Sequence, residues 1–227
     1  MTAPRAASQA EDTTGSAITP EPPAAARPAQ ERGRRRRAAL LAAAVGLLEQ
    51  GGFTAVTHRA VARRAGLPLA ATTYYFTSRD QLVAEAFALL IADELDGMRA
   101  RAETLTGRPT PEDLATALSL AMGPRAGPAG EADRLRRLGL WELYLQAGRD
   151  PALQALARDW TDGCDTVVAE TLRRTGYPCG RPAARTVGVL LAGLWMEHLV
   201  EGRPGAALEA RTLLAQTLRA LRALPGT

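Results

Sequence analysis

The chain has 227 residues, enough for one small module and a larger domain with its own core. Hydrophobic residues make up 46% and aromatics only 4%; Ala, Leu and Arg dominate, a mix that favours helix. Net charge is +4, no alternating strand-like run occurs, two cysteines (Cys164, Cys179) make no disulfide framework, and no apolar signal segment opens the chain. The longest apolar run, 187–196, has ten residues against the ~20 of a membrane helix, so no membrane partner and a cytoplasmic location are expected.

Charge is concentrated. All 28 basic residues are Arg; residues 34–80 hold eight of them against two acids, a net +6, while 1–33 and 81–227 each come to −1. A localised positive field suits a polyanionic partner.

In chain order, 1–32 is rich in Ala, Pro, Thr and acids without periodicity and reads as a disordered tail. Residues 34–50 form a first helix, with Leu41, Val45 and Leu48 at helical spacing and Leu40, Ala44 and Leu47 widening the stripe, ended by Gly51 and Gly52. Thr57 is the N-cap of a second helix, Val56 and Val61 stand at the two positions of a hydrophobic staple, and Gly66 ends it. After Leu67-Pro68 a third short helix covers 69–75. Ser78, with Gln81 three residues on, opens a fourth helix whose apolar face is Leu82, Ala86, Phe87, Leu90 and Ile91. Further helices are expected at 111–122, 132–148, 151–175, 182–201 and 206–223, with a flexible break at 123–130.

Two short helices joined by a tight Gly-containing turn make a helix-turn-helix unit, whose second helix enters the major groove. That helix presents Leu69, Ala70, Ala71, Thr72, Thr73 and Tyr74; Ala and Thr methyls can meet thymine methyls, and a Thr hydroxyl can pair with several bases. Around it, Arg34, Arg35, Arg36, Arg37, Arg59 and Arg79 supply charge for phosphate, Tyr74 and Tyr75 supply hydroxyls, and Thr57 starts a helix with open amides. His58 faces either DNA or solvent. Phe53 and Phe76 read as core.

The runs Gly52-Phe53-Thr54-Ala55-Val56-Thr57, Val61-Ala62, Ala65-Gly66-Leu67, Tyr74-Tyr75-Phe76 and Ser78-Arg79-Asp80-Gln81-Leu82 resemble the DNA-binding domain of TetR/AcrR-family transcriptional regulators. The resemblance implies an all-α homodimer in which Thr57 and the tyrosine pair lie against the DNA backbone, the third helix reads bases, and a ligand in the larger domain changes the spacing of the two reading heads. Two departures stand out: Pro68 occupies a turn position that often holds Ser or Thr, and Thr73 stands where an aromatic is frequent, which shifts backbone contacts onto Tyr74 and Tyr75.

The resulting expectation is a helix-turn-helix domain at 33–80 followed by a helical effector-binding and dimerisation domain at 81–227. The partners are a double-stranded operator, a small-molecule effector and a second copy of the chain. The dimer is expected through 182–201 and 206–223, with Val187, Leu190, Leu191, Leu194, Leu213, Leu214 and Leu218 as the seam. Trp141, Tyr144, Trp160 and Trp195 either line a ligand cavity or are plain core, and Glu142 or Asp159 suits a cationic ligand. His198 is a packed or interface histidine. No metal spacing, nucleophile elbow or phosphate loop occurs, and no cofactor and no catalysis are expected. The alternative is a ligand-independent regulator or activator whose larger domain only dimerises or recruits a partner.

Overall fold

The structure, a computed structural model, describes residues 26–123 and 130–223. Residues 1–25 of the expected tail, and all of the expected break except Gly123 and Gly130, lie outside the described residues. Among the described residues there are nine helices and no strand: α1 (Ala26–Ala55), α2 (His58–Ala65), α3 (Leu69–Tyr75), α4 (Arg79–Glu103), α5 (Pro111–Met122), α6 (Gly130–Ala147), α7 (Pro151–Arg174), α8 (Arg181–Glu201) and α9 (Ala206–Ala223).

Two compact units divide the chain, Met1–Arg36 and Arg37–Thr227. In the first, the described residues are the start of α1. Residues 26–32, expected in the tail, are helical. Ala, Gln, Glu and Arg are good helix formers, and Glu31 pairs with Arg34 and with Arg35 (Nε to Oε1 3.1 Å) one turn on. Those two guanidiniums hold the Glu31 carboxyl below its ordinary pKa.

The second unit begins within α1, where Leu40, Ala43, Ala44 and Leu48 are buried. At Gly52 the backbone turns to φ 66°, ψ −164°, a region open essentially to glycine alone, and one further turn carries the chain to Ala55. Gln30–Ala55 is long and apolar enough to cross a membrane by length and composition; the apolar side chains just named pack instead into the protein core.

Thr57 caps α2, its Oγ1 accepting from the Ala60 amide at 3.1 Å, and Val56 and Val61 are fully covered. Gly66 closes α2 in the left-handed conformation (φ 65°). Pro68 stands at the N-cap of α3 without a side-chain bond. Ser78 caps α4 through the Gln81 amide, while the Gln81 side chain accepts from the amide and hydroxyl of Thr77, one residue upstream of where a capping box closes.

Helix α4 buries Leu82, Val83, Ala86, Phe87, Leu90, Ile91, Leu95 and Met98, and packs on α5 and α7; α5 packs on α9, and α7 and α9 both pack on α8. One contiguous core runs from Leu40 and Phe76 through Phe87 to Leu218. Each fully covered Leu or Phe contributes about 1.5–3 kcal/mol of apolar burial. One charged knot crosses it. Glu94 on α4 accepts from Arg136 Nε and Arg137 Nη2, each at 3.1 Å, and Arg136 also reaches Glu49 and Asp93 at 2.6 and 2.5 Å. Four hydrogen bonds satisfy buried Arg137, the condition on which a buried ion pair escapes its desolvation cost.

Of the expected seam, part is covered by the chain's own bundle. Val187, Leu191, Leu214 and Leu218 are buried within the chain's own bundle, and Leu190 and Leu194 are half-buried. The apolar side chains left outside on α8 and α9 are Val189, Met196, Val200, Leu208 and Leu213. Both helices are apolar on two faces, because one packs within the bundle and the other is left over.

Candidate nucleic-acid interface and ligand cavity

In the second unit, α3 packs on α2 and turns one side outward. Leu69 is half-exposed, Ala70, Thr73 and Tyr74 are exposed, Tyr74 is 82% accessible, and Tyr74 meets Tyr75 edge-on at 4.9 Å. Ala71 and Tyr75 are half-buried. The Thr73 hydroxyl donates to the Ala70 carbonyl at 3.2 Å. On α2, Arg59 is exposed, Thr57 is exposed at the cap, and His58 is half-buried with Nδ1 covered and without a hydrogen bond.

Three residues named from sequence are committed elsewhere. Thr72 is 0% exposed and its hydroxyl donates to the Leu69 carbonyl at 2.7 Å within α3, so it is not on the outward side of that helix. Arg79 donates from Nε to the Val56 carbonyl (2.7 Å) and from Nη2 to the Phe53 carbonyl (2.6 Å), with its guanidinium 4.4 Å from the Phe53 ring centre. It therefore ties α4 to the segment before α2 instead of standing ready for phosphate. Arg37 pairs with Glu85 and lies 5.3 Å from the ring centre of Phe76, which is core, while half-buried Phe53 stacks against core Phe87. In the first unit, Arg34, Arg35 and Arg36 are exposed, the first two sharing Glu31.

A cavity of about 320 Å³ lies among α4, α5, α6, α7 and α8. Trp141, Tyr144, Trp160 and Trp195 all stand on its wall, and Trp195 is at the same time part of the core. Trp141 and Tyr144 meet at 5.6 Å. The Tyr144 hydroxyl is bonded to that of Thr161 and reaches the Ala157 carbonyl at 3.2 Å, and burial raises its pKa. Gly123 makes room for Trp195: a Cβ there falls 2.5 Å from the indole ring. Trp195 Nε1 is covered and without a partner, and the ring meets His198 edge-on at 5.6 Å.

Several lining residues were not named from sequence. Asp165 is one, with Arg185 Nη1 3.6 Å from its Oδ1, which lies 2.6 Å from where a Cβ on Gly188 falls. Cys164 beside it has its thiol pushed up to about 12 by burial. The signal was available: Trp160, Thr161, Cys164 and Asp165 lie at i, i+1, i+4 and i+5 on one face of a helix. The acids proposed for a cationic ligand do not serve the cavity. Asp159 is exposed and off its wall, and Glu142 accepts the Phe53 amide at 2.6 Å. Among the described residues no group of three or more His, Cys, Asp or Glu is placed to hold a metal ion.

Residues 109–222 match the family model described as "Tetracyclin repressor-like, C-terminal domain", and residues 40–86 match "Bacterial regulatory proteins, tetR family". The chain belongs to the TetR family. Family members are generally DNA-binding transcription regulators with ligand-binding C-terminal domains. Among solved structures, the TetR-family chain is similar to the multidrug binding protein EbrR complexed with imidazole, 27% identical, covering 85% of this chain and 97% of that one at a TM-score of 0.64. A TetR-family member from Streptomyces coelicolor A3 is 28% identical, covering 81% and 98%, at 0.60. A transcriptional regulator from Rhodococcus sp. Rha1 shares the fold at 20% identity, covering 82% and 98%, at 0.63. Comparison with curated proteins gives no match.

Proposed function

We propose that this TetR-family chain is a homodimeric repressor, released from a palindromic operator by a small, flat aromatic effector bound in the tryptophan-lined cavity. The observation that carries the reading is the exposed outer side of α3, with Leu69, Ala70, Thr73 and Tyr74 free of the core, next to exposed Arg59. The first three approach base edges, while Tyr74, Tyr75, Arg59 and the open amides at the Thr57 cap meet phosphates. Arg34, Arg35 and Arg36 add charge that needs no fixed geometry.

The sensing half is supported by the cavity. Its volume lies at the lower end of ligand pockets, and three tryptophans and a tyrosine suit a planar apolar body. EbrR, solved also with ethidium, sets a precedent of flat aromatic ligands on this fold. A filled larger domain would have supported the alternative of a regulator that only dimerises or recruits a partner. The dimer reading rests on Val189, Met196 and Val200 along the outer face of α8, with Leu208 and Leu213 on α9, an unusual run of apolar side chains to leave in water. A DNA partner places the protein in the cytoplasm.

Selection of bound sequences from a random duplex pool with the full-length protein tests the reading. An enriched palindrome with half-sites about one helical turn apart is expected. Enrichment of a non-palindromic site removes the dimer, and no enrichment removes sequence-specific recognition.

A further inference from the structure

We propose that Glu142 is the positioning residue through which the cavity governs the DNA-reading helices, an inference that rests on the regulator function proposed above. Helix α6 faces the cavity with Arg137, Leu140, Trp141 and Tyr144. Glu142, the neighbour of Trp141, reaches away from it to α1, where Oε2 accepts the Phe53 amide at 2.6 Å. The break at Gly52 makes this bond. The positive φ of 66° swings the Phe53 amide toward α6, and a Cβ at position 52 falls 2.3–2.7 Å from the carboxylate atoms, so glycine alone lets the carboxylate this close. A charged acceptor on a backbone amide is among the stronger protein hydrogen bonds.

The segment so held is clamped from its other side. Arg79, the first residue of α4, takes the Phe53 and Val56 carbonyls at 2.6 and 2.7 Å. Residues 53–56 therefore lie between Glu142, on the cavity's own helix, and Arg79, four residues after α3 ends, and they lead directly into the Thr57 cap of α2. A ligand wedged against Trp141 and Tyr144 that tilts α6 draws on the Phe53 amide and, through it, on the footing of α2. A second ionic tie from α6 to α1, Arg136 to Glu49, cannot transmit as selectively, because the same guanidinium is fixed to Asp93 and Glu94 on α4.

The chain carries its own reporter. It has three tryptophans, Trp141, Trp160 and Trp195, and all three line the cavity. Coupling is reciprocal, so DNA bound at the reading helices must alter the cavity. The experiment adds duplex to full-length wild type, E142A and E142Q, following binding by anisotropy of labelled duplex and the cavity by tryptophan emission. The duplex carries the selected sequence or, where none is enriched, mixed sequence at low salt. Expected is a DNA-induced emission change in the wild type that is lost in E142A and kept in E142Q, which retains an acceptor. Should E142A lose its helical circular dichroism, Glu142→Asp, one methylene too short to reach the amide, replaces it with the same expectation. An emission change in E142A as large as in the wild type overturns the proposal, and so does a wild type that binds duplex with no change in emission. Absence of duplex binding by the wild type, read by anisotropy alone, fails the regulator reading itself and takes the inference with it.

Discussion

Replacing Gly52 by alanine puts two separate costs on one atom. The backbone at φ 66°, ψ −164° is closed to alanine at about 1–3 kcal/mol. The new Cβ also falls 2.3–2.7 Å from the Glu142 carboxylate, which must leave, and its charge-assisted bond to the Phe53 amide is worth about 1.5–3 kcal/mol. The sum, about 2.5–6 kcal/mol, is a large share of the 5–15 kcal/mol that holds an ordinary domain together. Gly66 offers a milder comparison: its φ is 65° but its ψ of 29° lies in the left-handed helical region, and nothing lies within 4 Å of its added Cβ, so Gly66→Ala should cost only about 1–2 kcal/mol. Equilibrium urea unfolding followed by helical circular dichroism measures both. The decisive comparison is Gly52→Ala in wild type against Gly52→Ala in an E142A background. With the carboxylate gone only the backbone cost remains, and the penalty should fall by at least ~1 kcal/mol. Equal penalties in the two backgrounds refute the idea that Gly52 exists to admit Glu142.

Other consequences are as concrete. Thr72→Ala should lower stability by about 1 kcal/mol, through loss of its bond to the Leu69 carbonyl, and leave the selected DNA sequence unchanged; an altered preference in a repeat selection contradicts its burial. Arg59→Ala should weaken binding alike on all duplexes and reduce the slope of log affinity against log salt by about 0.9, one phosphate's worth, with an unchanged slope excluding the contact. Gly123→Ala should press on both the Ser119 carbonyl (2.3 Å) and the Trp195 indole (2.5 Å) and shift tryptophan emission without DNA or ligand; an unchanged spectrum shows that Gly123 is not what makes room for the indole. Burial pushes the Cys164 thiol up from 9.0 to about 12. Its folded pKa is raised, so its contribution to stability is complete below pH 9.0 and is lost as pH climbs from there toward 12. In the native protein at about pH 8, a thiol reagent should leave it unmodified by peptide mapping; rapid modification there removes the burial argument.

Local chemistry made most of the helices legible. Thr57, Gly66 and Ser78 are caps whose side chains or backbone freedom act within four residues, and the Gly and Pro junctions between later helices act the same way. What depends on the third dimension was not legible. Thr72 sits in a seven-residue helix of small side chains, where nothing distinguishes the side turned to α2 from the side turned outward. Arg79 is a cation beside a basic module, and only the fold shows two carbonyls and a ring already occupying it. The bond from Glu142 spans 89 positions, beyond any periodicity. On α8 and α9, two apolar faces carry the same 3.6-residue period, and the pattern alone does not say which one the bundle keeps. The four aromatics, left open in sequence between cavity lining and plain core, stand round one cavity. Few large side chains are available in a chain this poor in aromatics, and gathering four of them leaves space that leucine would have filled.

Val189, Ala192 and Gly193 belong to the cavity wall and are also exposed along the outer face of α8, beside Met196. If a second copy seats on that face, the doorway to the cavity and the contact between subunits are the same piece of surface. Effector exchange is then a matter of residence time. A molecule that enters an open subunit is shut in when the pair forms and leaves at the rate at which the pair parts. On that arrangement dilution would empty the site, concentrated protein would retain what it had caught, and the abundance of the chain would set how long an effector stays bound.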